Sequence, residues 1–218
     1  RPGRTRLRIA VHTGGIGRSA EPEVVDLTLK AARLLEELGH RVDQVEHPAP
    51  ATVPDDFLLY WSMLAMATVR PGRPQLGPSF GRTRLDNLTL GLDRHCRRHL
   101  HRLPGAIRRL RRLARISADF HQRYDVVLTP TLAQTTPQVG HLDPTNDFET
   151  VMERILQWVA FTPWQNATGD PAVSLPLATT ASGLPQGMML SAGAGREPTL
   201  LELAYELEEA APWPRITG

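Results

Sequence analysis

Two threonines flank a proline in Thr129-Pro130-Thr131, directly after the short apolar run Val126-Val-Leu128. An apolar run that breaks abruptly into hydroxyls reads as a buried strand reaching its end, with Pro130 holding Thr129 extended. Ligands of open α/β sheets bind outside the carboxyl ends of strands. The two hydroxyls are therefore placed either to face a substrate pocket or to finish a polar turn. Farther on, Asn166-Ala-Thr-Gly-Asp-Pro-Ala-Val-Ser-Leu-Pro176 puts a carboxamide and a glycine ahead of a small-residue strand that Pro176 is expected to end. Asn166 reads in two ways, as a left-handed helix end or as a side chain that orients a substrate, while Gly169 allows a tight turn. A third segment, Gly183-Leu-Pro-Gln-Gly187, leads into another strand.

Other reactive groups are sparse. Lys30 is the only lysine; it lies on the polar side of a helix, four residues after Asp26, in the spacing of a weak helix pair. Gly77-Pro-Ser-Phe-Gly81 has Gly-x-Ser-x-Gly spacing, but it lies in a breaker-rich stretch with no strand leading into it, so it does not read as a serine-hydrolase elbow; Cys96 is the only cysteine, so no intrachain disulfide is available. His95 and His99 share helical spacing near Cys96 and His101, but the arginines around them oppose a metal cation, and no metal or cofactor is expected. Gly15-Ile-Gly-Arg-Ser-Ala20 matches a relaxed dinucleotide pattern, yet Pro22 starts the helix beyond it, and Asp43 and Glu46 lie farther on than the usual ~20 residues. Residues 94–115 hold nine Arg, three His and no acid. Leu103, Ile107, Leu110 and Ala114 form one stripe there, which leaves the arginines as a solvated face rather than a nucleic-acid surface.

The elements that must position these residues alternate between strand and helix. Leu7–His12 reads as a strand, Pro22–Leu38 as an amphipathic helix stopped by Gly39, and Arg41–Glu46 as a second strand, a βαβ-like unit with parallel neighbours. An apolar helix over 55–69 precedes a breaker-rich, mobile loop at 70–79. A helical region at 83–123, interrupted near Pro104-Gly105, delivers the chain to the strand at 125–128. Helices at 148–159 and 199–210 and strands at 172–175 and 188–191 complete an α/β chain.

Together the three segments, in this order and spacing, resemble the C-terminal half of the amidase signature family. Leu7-Arg-Ile-Ala-Val11, the following helix and Leu38-Gly-His-Arg-Val42 are similar to the stretch after that family's catalytic region. The resemblance covers essentially the whole chain, 1–218, as the C-terminal part of a single domain. It implies a mixed β-sheet covered by helices on both faces. It also implies hydrolysis of a carboxamide C–N bond by a Ser activated through a second Ser and a neutral Lys, with an oxyanion hole from a Gly/Ser-rich segment. No Gly-Gly-Ser-Ser-like run is present here. The resemblance therefore assigns this chain no catalytic residue and predicts it inactive alone, with Thr129, Pro130, Thr131, Asn166 and Gly169 shaping the substrate pocket. Its partners would be a small-molecule amide and the missing N-terminal half; homo-oligomerisation stays open. The glutamyl-tRNA amidotransferase branch carries an acid upstream of the Asn, whereas Gln157-Trp-Val-Ala-Phe161 has none, so an apolar amide is expected rather than glutamine. The competing class is a noncatalytic binding module, using either the Gly15–Ala20 loop for a nucleotide or an exposed apolar surface for a protein.

Composition agrees with a soluble globular protein: 218 residues, 41% hydrophobic, 22% charged and net charge +2. The run from Leu58 to Val69 is too short to cross a hydrocarbon core of roughly 30 Å, and Arg-Pro-Gly-Arg-Thr-Arg lacks a signal peptide's apolar stretch. No membrane partner and a cytoplasmic location are expected.

Overall fold

The computed structural model describes residues 2–3, 5–69, 77 and 81–213, so all of the expected 70–79 loop except Gly77 lies outside the described residues. Five strands form one mixed sheet in the order β2-β1-β3-β5-β4. They are β1 (Arg8–Val11), β2 (Arg41–Gln44), β3 (Val126–Pro130), β4 (Ala172–Thr179) and β5 (Pro185–Ala192). β1 runs parallel to both β2 and β3, as the βαβ reading requires, and β5 runs antiparallel to β3 and β4.

Period-two alternation divides the core between the two faces. Ile9, Val11, Val126, Leu128, Leu190 and Ala192 point to one side. There they meet Leu27 and Leu35 of α1 (Pro22–Glu37) and Leu200, Leu203 and Leu207 of α7 (Glu197–Ala210). Each such buried Leu or Ile contributes roughly 1.5–3 kcal/mol. On the other side, Ala10 and Val127 pack on Phe120 of α4 (Leu103–Phe120), and Met189 packs on Ala133, Ala160 and Phe161. Helices therefore cover both faces.

A helical layer stands beside this second face. α2 (Val53–Val69) packs on α3 (Asn87–Arg98) and α4 through Leu59, Cys96 and Ala106. The interruption of the 83–123 helix falls in a 3₁₀ turn at Leu100–Arg102, ahead of Pro104, because a proline in a first turn has no hydrogen bond to lose. The arginine face is not wholly external. Arg109 makes a bidentate pair, at 2.5 and 2.7 Å, with the buried Asp56 of α2, and Arg97 reaches the buried Asp93 at 2.8 Å.

α5 (Phe148–Trp158) begins at Asp147, whose carboxylate accepts from the Thr150 amide. One short helix escapes the sequence reading: α6 (Thr162–Thr168), bracketed by Pro163 in its first turn and Gly169 in the left-handed region at its end. β4 also continues past Pro176. It is an edge strand, paired only with β5, and a register shift between Leu175 and Ala178 takes up the proline, whose missing N–H costs nothing on the unpaired side.

Candidate functional site

The three sequence segments meet on one face of the sheet. Thr129 of β3 pairs in register with Met189 of β5, which pairs with Ser174 of β4, so all three project to the α4–α6 side. Thr131, just past the end of β3, shares a 2.6 Å hydroxyl–hydroxyl hydrogen bond with Ser174. Gly187 lies beneath this pair, and a Cβ there would stand 2.8 Å from Ser174 Oγ and 2.9 Å from Thr131 Oγ1. The Gly183–Gly187 segment is thereby explained at both ends. Gly183 turns the β4–β5 hairpin at φ 83°, and Gly187 leaves room for the hydroxyls. Pro130 completes β3 and, like Thr129, is buried.

Thr129 faces a polar recess rather than open solvent. Thr129, Gln165, Ser191, His12, His47 and Trp164 are among the residues around a cavity of about 10 Å³. Gln165 Nε2 donates to Ser191 Oγ at 3.2 Å, whereas Thr129 Oγ1 and Gln165 Oε1 are buried without a hydrogen-bond partner. The two histidines beside them stack edge to face at 4.7 Å, and His47 meets Trp164 at 5.0 Å. Burial holds His12 neutral, lowering its pKa to about 4 despite the hydrogen bond to the Gly14 carbonyl. Burial, then the neighbouring His12, lowers His47 to about 3. The tautomers follow from the partners. His12 Nδ1 donates to Gly14 O at 2.8 Å, and His47 Nδ1 accepts from the Ala49 amide at 2.9 Å.

Asn166 is placed differently. It is an exposed residue inside α6 with ordinary helical backbone, and the left-handed position belongs to Gly169 at φ 82°. Asn166 Nδ2 donates to Thr162 O at 3.0 Å, and the side chain borders a cleft of about 520 Å³ between α2, α5 and α6. Thr129, Thr131 and Ser174 thus share one sheet face, while Asn166 looks into a separate hollow across α6. The aromatic residues of α2 on that hollow, and the serines 174 and 191, were not singled out by the sequence reading. The signal for the first was an α2 apolar on all its sides.

The remaining reactive groups stand apart. Lys30 is exposed on α1. The Gly15–Ala20 loop spends its amides internally: Gly15 N donates to Arg18 O, Ile16 N to Ala160 O and Ala20 N to Thr13 O. A Cβ on Gly15 would lie 2.5 Å from the Ala160 carbonyl oxygen, so this glycine serves backbone packing. The carboxylates of Glu21 and Glu23 at the start of α1 accept from the Thr135 and Ala181 amides, an arrangement that repels phosphate. Among the described residues no three His, Cys, Asp or Glu side chains gather as a metal site, and no helix is long and apolar enough to cross a membrane.

Comparison with known proteins finds amidases among those similar to this chain. AmiC of Mycobacterium leprae, named for an inferred amidase activity, is 62% identical over 216 residues, 99% of this chain and 46% of that protein. The 6-aminohexanoate-cyclic-dimer hydrolase of Paenarthrobacter ureafaciens is 27% identical over 97% of this chain and 45% of its own length. A solved structure of 6-aminohexanoate cyclic dimer hydrolase complexed with substrate matches with a TM-score of 0.78 at 26% identity, covering 97% of this chain and 46% of that one. A bacterial aryl acylamidase of the amidase signature enzymes shares the fold, with a TM-score of 0.74 at 20% identity over 95% of this chain and 44% of that one. The chain spans about half the length of the curated relatives it matches. The Amidase family model matches residues 2–201, and the chain belongs to that family.

Proposed function

We propose that this chain supplies the substrate-pocket part of an amidase that hydrolyses a carboxamide C–N bond, with nucleophile and base carried by sequence outside residues 1–218. The observation that carries the reading is the convergence of Thr129, Thr131 and Ser174, from separate segments, on one sheet face at the end of β3. Hydroxyls in that position can donate to a carbonyl or accept from an amine, but a hydroxyl attacks a carbonyl only with a base in reach. The one lysine is exposed on α1, and the two histidines nearest the site are held neutral by burial, their Nδ1 atoms bonded to backbone. Catalysis by the 218-residue chain alone is accordingly not part of the reading. A cytoplasmic setting and independence of cofactors belong to it, and so does association with the polypeptide that carries the Gly/Ser-rich segment.

The test compares the pure chain with a longer form that includes the Gly/Ser-rich segment and a second lysine, following amine release from aryl and alkyl amides. The longer form turns over and is silenced by a serine-directed inhibitor; the chain alone does not turn over. Thr129→Val in the longer form lowers kcat/KM about tenfold while leaving Tm within a degree or two, because a buried hydroxyl without a protein partner has little stability to lose. Turnover by the pure chain that survives the inhibitor refutes the reading.

A further inference from the structure

Residues 94–115 hold nine Arg and no acid, while the whole chain is only +2, so the rest of the molecule is net acidic. Packing sorts the arginines. Arg97 and Arg109 reach the buried Asp93 and Asp56. On α4, Arg108, Arg111, Arg112 and Arg115 stand opposite the buried Ala106, Leu110, Leu113 and Phe120, at the i, i+3, i+4, i+7 spacing of one helix face. All four are exposed, and among the described residues none of them has an ion-pair partner. Like charges three and four residues apart weaken a helix, and α4 holds no acid to offset them before Asp119.

The acidic counterpart is α7, which has five Glu and no Lys, Arg or His. Its last turn lacks a base, although a helix end carries partial negative charge there. Glu206 is engaged by Arg6 and His40. Away from the buried Leu200, Leu203 and Leu207, the helix presents the exposed Glu202 and Glu209 beside Leu201 and Tyr205, which are 57% and 52% exposed. Tyr205, Glu208 and Glu209 continue with Pro2, Pro212 and Trp213 around a hollow of about 380 Å³. Two carboxylates, two aromatic rings and, among the described residues, no cation line it. That set suits a guanidinium, which pairs with a carboxylate, stacks on an aromatic face and lays its aliphatic stem on apolar surface.

The two surfaces match in spacing. Glu202 and Glu209 are seven residues apart, as are Arg108 and Arg115, so each pair spans about 10 Å along its helix. They cannot meet within one molecule, because α7 covers the sheet face of Val126 and Leu128 while α4 covers the opposite face through Val127. We propose that they meet between copies: the arginine row of α4 docks on the acidic, tyrosine-bearing face of α7 in a second copy, and chains associate head to tail. A nucleic acid would satisfy α4 and leave Leu201 and Tyr205 uncovered, whereas a second copy answers both surfaces. Each copy offers one surface of each kind, so the contact is heterologous and can propagate beyond a pair.

Sedimentation velocity over a wide range of protein concentration tests this on the 218-residue chain and on the longer form. The sedimentation coefficient of each rises with concentration. Raising the ionic strength from about 0.05 to about 0.5 M weakens association about tenfold, because exposed pairs are screened. Arg108→Glu combined with Arg115→Glu weakens it about tenfold, and so does Glu202→Arg combined with Glu209→Arg, each with Tm within about two degrees, as befits exposed positions. Mixing the two double variants restores association, since each surface again meets its opposite.

A chain that is monomeric at every concentration overturns the proposal. So does association that neither double variant weakens, or a mixture of the two that stays monomeric. A longer form that stays monomeric where the 218-residue chain associates also overturns it, because polypeptide outside residues 1–218 then covers one of the surfaces. A duplex oligonucleotide that displaces the second copy, and whose binding is lost with Arg108→Glu and Arg115→Glu, assigns the row to nucleic acid instead.

Discussion

Gly187 shows how a single missing side chain keeps two others together. The Thr131–Ser174 hydrogen bond closes over it, and a methyl group in that space must push the hydroxyls apart or bend β5. Gly187→Ala is expected to lower stability by about 1–3 kcal/mol, the range for overpacking. Adding Ser174→Ala should recover part of the loss, because one of the two clashing atoms is then gone. Urea denaturation of the two single variants and the double variant gives the coupling directly, and strict additivity would show that the clash is relieved elsewhere. Gly15 obeys the same rule against the Ala160 carbonyl. That contact supplies a structural reason for a glycine that the sequence pattern could equally assign to a nucleotide loop.

At the scale of elements, the stability of the cleft depends on how α2 is held. Its buried carboxylate, Asp56, meets Arg109 of α4 in a two-bond fork, the strongest polar link described between these helices. Asp56→Ala removes both bonds and leaves the guanidinium beside an apolar interface. A lower urea midpoint with an unchanged m-value is expected, together with a red shift of Trp61 emission as α2 loosens. Asp56→Asn, which keeps one acceptor, should fall between the two. Most elements were legible from periodicity and caps: α1 from its Val24-Leu27-Ala31 stripe, and β3 from an apolar run ending in Thr-Pro. α6 was not, since seven residues are too few to show a period and its Pro and Gly brackets also read as a loop. β4 ran past Pro176 for a reason no local pattern contains, its place at the edge of the sheet.

For the whole molecule, the buried pair His12 and His47 sets the response to acid. Both rings are neutral in the folded protein, with pKa values lowered by burial to about 4 and about 3, against an unfolded value of 6.5. As pH falls through 6.5 the unfolded chain takes up protons that the folded chain refuses until about pH 4. Stability present above pH 6.5 is therefore lost progressively towards pH 4. At about 1.4 kcal/mol per unit of pKa difference, the loss amounts to a few kcal/mol. Thermal melts between pH 7.5 and 4 should show Tm dropping below pH 6.5, and His47→Gln, which takes up no proton, should flatten that drop. A profile that His47→Gln leaves unchanged would place the acid sensitivity in other groups.

What the sequence determined by itself was composition and order. The chain has one lysine, one cysteine and three motifs in succession, and the motifs point to the family. It also marked Thr129 and Thr131 as a strand end, because a proline after an apolar run has few other conformations. The tertiary structure alone decided which of the marked residues share a place. Strand register put Ser174 beside Thr131 across 43 positions of sequence, and helix packing turned Asn166 away from both, towards α2. Local patterns report a residue's own backbone. Neighbourhood across a sheet or a helix interface depends on how distant surfaces fit, and no single segment carries that information.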